Sequence, residues 1–81
     1  MVDQIIIQKL FLLARAMAAG VPVIVGDRHV PRLLAIEAED GSGHNYNLTA
    51  VDRSVFFVDL QRVRIVIPSI NDAISSQKQA L

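Results

Sequence analysis

Arg32-Leu33-Leu34-Ala35-Ile36-Glu37-Ala38-Glu39, then Asp40-Gly41-Ser42-Gly43, then His44-Asn45-Tyr46-Asn47-Leu48-Thr49-Ala50-Val51 is the stretch that decides the fold. On its first arm Leu34, Ile36 and Ala38 alternate with Leu33, Ala35 and Glu37. On its second, Tyr46, Leu48 and Ala50 alternate with Asn45, Asn47 and Thr49. Successive side chains of an extended chain point to opposite faces. Alternation of period two on both sides of a Gly-containing loop therefore predicts an antiparallel hairpin.

Working outward, two further strand-like runs follow at residues 54–60 and 62–67. In the first, Phe56, Val58 and Leu60 share a face; in the second, Val63, Ile65 and Ile67 do, which turns Arg62 and Arg64 the other way. Asp52-Arg53 has the length of a tight connection. Gln61-Arg62 carries no turn signature, so one long bent strand is the alternative reading of the last two runs. Upstream, the β-branched run at 21–25 predicts a first strand and Gly26-Asp27-Arg28-His29 a turn. Pro31 sets the next strand's start at an edge or a bend.

A helix precedes all of this. Asp3 is placed to cap it, helix formers run over 4–19, and Gly20 with Pro22 beyond it supplies the stop. Ile6, Leu10, Leu13 and Met17 follow a helical spacing, and so do Ile7, Phe11 and Ala14. Gln4, Gln8, Lys9 and Arg15 leave only a narrow polar face, so the apolar stripe is wider than one side of a small sheet needs. The helix is either a core helix on the sheet or one shared with a neighbouring subunit. After Pro68, Ser69-Ile70-Asn71-Asp72 has capping-box spacing, and Ile70, Ala73 and Ile74 predict a short amphipathic helix over 70–79.

Composition bounds the function. Eighty-one residues make one domain, 1–81, and a chain of that size buries only about 60% of its unfolded surface. With 52% hydrophobic residues, it is expected to place part of its apolar surface against copies of itself. Eight basic and eight acidic residues give no net charge, so nucleic acid or anionic lipid would need a local patch. There is no cysteine, which excludes disulfides and thiolate metal sites. Gln8, Lys9, Arg15, Gly20 and Pro22 interrupt the apolar run at 5–25, and Asp3 stands where a leader peptide carries basic residues. A cytoplasmic location is the expectation. His29 and His44 lie beside Asp27 and Asp40 in predicted turns, where such residues are common for conformational reasons, with no third ligand or nucleophile. No metal, no cofactor and no enzymatic activity are expected.

A helix followed by about five short, bent antiparallel strands is the layout of SH3-like small barrels, and the order of motifs resembles the Sm-like family, especially its Hfq-type RNA chaperones. The resemblance covers residues 8–69. The passage from helix into Val21-Pro22-Val23 looks like the Hfq-type junction. Tyr46-Asn47-Leu48 looks like the family's first motif, and Val63-Arg64-Ile65-Val66-Ile67-Pro68-Ser69 resembles its final strand and Pro-Ser exit. The family's second motif, Arg-Gly or Lys-His, is replaced by Leu60-Gln61 behind Asp59, and the Gly usual between the first two strands is out of place. The resemblance implies a five-stranded Sm-like barrel over 21–68 that closes into a homo-oligomeric ring of about five to seven copies. It also implies weak or selective binding of single-stranded RNA.

On that resemblance, Asn47 and Gln61 would read bases, Tyr46 or His44 would stack, and Arg62 and Arg64 would take phosphates. Val58, Leu60, Ile65 and Ile67, with Ile7 and Phe11 on the helix, would form the subunit interface. Each has a plainer reading. Tyr46 alternates with the apolar face as core, Asn45 and Asn47 are ordinary outward positions, and the arginines discourage unwanted strand pairing. The alternative function is a structural or assembly module, accessory or phage-type, acting through protein contacts on its apolar helix without nucleic acid.

Overall fold

A helix, α1 (Gln4–Ala19), leads into six strands: β1 (Val23–Val25), β2 (Arg28–Val30), β3 (Leu33–Ala38), β4 (Asn45–Ala50), β5 (Val55–Asp59) and β6 (Ile65–Val66). The structure is a computed structural model that describes residues 3–68. The helix predicted over 70–79 lies outside the described residues.

The ends of α1 form as the sequence predicts. Asp3 is extended and its carboxylate accepts from the Ile5 amide at 2.9 Å. Gly20 adopts φ 69°, the left-handed conformation that lets the Gly20 and Val21 amides return to the Met17 and Ala16 carbonyls. Ile6, Leu13 and Ala16 are buried, with Leu10, Leu12 and Met17 packed around them, and this face lies on β3 and β6. The other apolar stripe, Ile7–Phe11–Ala14, is exposed.

The strands form two antiparallel sheets of three, in the orders β2-β1-β6 and β3-β4-β5. The mostly-β class with an N-terminal helix holds, but the sheets do not close into a five-stranded barrel. Pro31, which has no amide to donate, and Arg32 separate β2 from β3. A turn separates β5 from β6: the Arg62 and Val63 amides both donate to the Asp59 carbonyl. The one long bent strand is therefore ruled out, although Gln61-Arg62 lacks turn residues.

Two other expectations shift. The first strand begins at Val23, because the Val21 amide is taken by the helix and Pro22 has none. Arg28 and His29 belong to β2, opposite Val25 and Ile24, since Gly26 at φ 66° closes a two-residue turn with Asp27.

The central hairpin has the predicted pairing with one irregularity. Ile36 opposes Leu48 and Ala38 opposes Tyr46, but the register slips between Leu33 and Ala35. A bulge adds one residue to one strand and so moves what precedes it to the other face. Leu33 is therefore 2% exposed and Leu34 58% exposed, the reverse of the simple alternation. Leu13, Leu33, Leu48, Leu60, Val23 and Val30 are the largest fully buried side chains, and they join helix and both sheets in one core.

Candidate nucleic-acid interface

The outer face of the β3-β4-β5 sheet is set by the alternation in β4. Asn45, Asn47 and Thr49 oppose Asp59, Phe57 and Val55 on β5, and Asn47 and Thr49 oppose Glu37 and Ala35 on β3. Phe57 is 65% exposed, because Phe56 and Val58 of the same strand take the core side. Beside it, the Asn47 side-chain oxygen is buried with no hydrogen-bond partner. An unpartnered buried acceptor costs on the order of 1–3 kcal/mol, so it is an unusual thing for a sheet surface to keep.

Phe57 also lines a recess of about 340 Å³ with Arg28, Arg62, Asp27 and Asp59, between the β1–β2 turn, the edge of β5 and the loop after it. The Arg28 guanidinium carbon stands 5.9 Å from the centre of the Phe56 ring, within cation–π range. An exposed aromatic at the edge of a recess lined by two arginines and two aspartates offers a stacking platform with charge of both signs beside it. Sequence reasoning overlooked Phe57 and placed Arg28 only in a turn. The available signal was that Phe57 lies out of phase with Phe56 and Val58.

Asp59 organises the far end. Its Oδ1 lies 3.1 Å from His44 Nδ1 and accepts from the Gln61 amide at 3.0 Å, and Arg62 Nε stands 4.0 Å from Oδ2. His44 and Gln61 then line a second recess of about 290 Å³ with Asp3, Ile6 and the Gly41–Gly43 loop. That loop is folded by Asp40, whose carboxylate accepts from the Ser42 amide and the Asn45 side-chain amide. Those bonds, chiefly with Ser42 and then Asn45, pull the Asp40 carboxyl from its ordinary 3.8 down to about 2.

A third recess, about 380 Å³, places Lys9 beside Arg62 and Arg64 over Ile5, Leu12, Val63 and Ile65. Lys9 was another cation without an assigned role in the sequence.

The six predicted contact residues thus divide. His44 and Gln61 come together, Arg62 and Arg64 come together with Lys9, and Asn47 pairs across the strands with Phe57. Tyr46 opposes Ala38 and packs against the core, so the exposed ring on this sheet is that of Phe57 and not of Tyr46. No protein-family model, curated protein or solved structure matches the chain. The site therefore rests on its own chemistry.

Of the residues expected at a subunit interface, Val58, Leu60, Ile65 and Ile67 are buried in the chain's own core, whereas Ile7 and Phe11 are exposed. The side chains of those four are spent within one chain, and only the backbone edges of their strands are open. β5 and β6 each have a neighbour on one side alone. Among the described residues, no His, Asp and Glu group is placed to hold a metal ion, and no helix is long and apolar enough to cross a membrane.

Proposed function

We propose that the protein is a non-enzymatic, Sm-like ring subunit that binds single-stranded RNA on the outer face of the β3-β4-β5 sheet. The observation that carries this reading is Phe57, exposed opposite Asn47 and lining one recess with Arg28 and Arg62. A base stacks on Phe57, Asn47 offers its amide to the base edge, and Arg62, Arg64 and Lys9 lead the phosphates away along the next recess. The ring would form where the free edge of β5 in one copy pairs with the free edge of β6 in the next, in the cytoplasm.

Titration with fluorescent uridine-rich and adenine-rich oligonucleotides tests the binding. The expected result is saturable binding at low salt, with a shallow salt dependence because few cations face the strand. Phe57→Ala should remove most of it, since base–aromatic stacking contributes about 1–3 kcal/mol per base. No binding at low salt ends the RNA reading.

One observation favours the second reading, an assembly module that works by protein contacts. Phe11 and Ile7 on the helix are exposed, as is Leu34. Light scattering on a sizing column tests the ring. A mass of five to seven copies supports the ring; a monomer or dimer removes it.

A further inference from the structure

The recess beside Phe57 holds an acid that the fold itself does not use. Asp27 and Phe57 line it together with Arg28 and Arg62, and its volume of about 340 Å³ is at the low end of small-ligand sites. Asp59, the other acid there, is committed: its Oδ1 accepts from the Gln61 amide and lies 3.1 Å from His44 Nδ1. Asp27 is exposed and enters no side-chain hydrogen bond or ion pair among the described residues. Its turn is nonetheless held in place. The Gly26 amide donates to the Arg64 carbonyl at 2.7 Å, and a Cβ at Gly26 would meet Val63 Cγ2 at 3.3 Å. The acid is thus carried on a turn anchored to the loop that forms another wall of the recess.

We propose that Asp27 makes this site selective for guanine. The inference rests on the RNA reading above and names the base that the site takes. A carboxylate sets two acceptors side by side and has nothing to donate. Among the bases of RNA, only guanine has two neighbouring donors on its pairing edge, N1–H and the 2-amino group. Both carboxylate oxygens are then satisfied at once. Uracil has one donor between two carbonyl oxygens, and adenine and cytosine put a ring-nitrogen acceptor beside the amino group. Against each of these the second carboxylate oxygen meets a lone pair, which works against the wrong base.

The remaining groups fit the same base. Guanine O6 and N7 take a guanidinium in bidentate fashion, and the Arg62 side chain is 89% exposed at this recess. Phe57 supplies the stacking face, which a purine covers more fully than a pyrimidine. The Asn47 amide has both a donor and an acceptor and suits several base edges, so the choice among bases falls to the acid.

Fluorescence titration of the full chain at low salt tests this with uridine-rich strands that differ at one internal position: guanosine, inosine, adenosine or uridine. The guanosine strand should bind about tenfold more tightly than the uridine strand, in the range of one good bidentate pair. Inosine lacks only the 2-amino donor and should lose most of that gain. Asp27→Asn keeps a Gly-Asn pair suited to a two-residue turn. It should bring the guanosine-to-uridine ratio close to one and leave the uridine strand bound. Equal binding of all the strands overturns guanine selectivity and leaves RNA binding standing. A guanosine preference that survives in inosine or in Asp27→Asn overturns the role of Asp27. No binding of any strand removes the RNA reading and this inference with it.

Discussion

The Lys9 ammonium on α1 donates to the Leu60 carbonyl at the end of β5, at 2.7 Å. The Leu60 amide donates in turn to the His44 carbonyl at 2.8 Å, and the Leu60 side chain is fully buried. Helix, central hairpin and the turn that separates the two sheets are thus joined through one residue. This turn has no glycine or proline to shape it, so its form depends on partners distant in sequence.

Lys9→Met keeps the length of the side chain and removes the donor. A charged donor to a backbone carbonyl contributes about 1.5–3 kcal/mol, less where water competes, so a loss of about 1–2 kcal/mol is expected. Thermal unfolding followed by circular dichroism should show Tm lower by about 4–16 °C for a chain of this size. An unchanged Tm would mean that the core alone holds the turn.

Asn47→Val should separate stability from binding. It replaces a buried, unpartnered acceptor with a β-branched residue suited to a strand, so stability should rise by about 1 kcal/mol. Binding of the oligonucleotides should fall at the same time. A variant that gains stability and still binds RNA fully would take Asn47 out of the site.

Gly20 and Gly41 make a paired test of backbone conformation. Gly20 sits at φ 69°, and an added Cβ would meet the Arg32 guanidinium at 3.4 Å. Gly20→Ala should therefore cost about 1 kcal/mol. Gly41 has no positive φ and no atom within 4 Å of a built Cβ, so Gly41→Ala should be neutral or slightly stabilising. Equal losses at the two positions would contradict the helix stop described at Gly20.

Acid should weaken the fold through two turn carboxylates. The folded Asp40 carboxyl titrates at about 2, below its ordinary 3.8, and hydrogen bonds with Ser54 lower Asp52 in the same direction. A depressed carboxyl contributes stability that is fully present above its unfolded pKa and is lost as pH falls through its folded pKa. Tm should therefore decline between about pH 4 and 2, and Asp40→Ala should flatten part of that decline. If wild type and variant keep parallel pH profiles, the Asp40 turn does not couple to folding.

Much of this was legible along the chain. The helix ends follow from Asp3 and Gly20, whose effects are local. The central hairpin follows from alternation, and the inward face of β5 from Phe56, Val58 and Leu60. The bulge at Leu33 was not legible, because two adjacent leucines fit either face equally well. Nor was the turn at Gln61-Arg62, which is made by the Asp59 carbonyl and carboxylate and by Lys9, rather than by turn residues. His44 and Gln61 were named separately as contacts, but that Asp59 joins them became visible only when β4 and β5 paired.

The sequence by itself determined where the helix starts and stops, which strands alternate, and that no residue set for disulfide or thiolate chemistry exists. Those properties depend on neighbours within a few positions. Only the tertiary structure decided that the strands divide into two sheets. It alone brought Phe57 beside Asn47 and Arg62, and left one stripe of α1 exposed among the described residues. Each of these depends on which separate segments pair or pack together, and local preference carries no information about which partner wins.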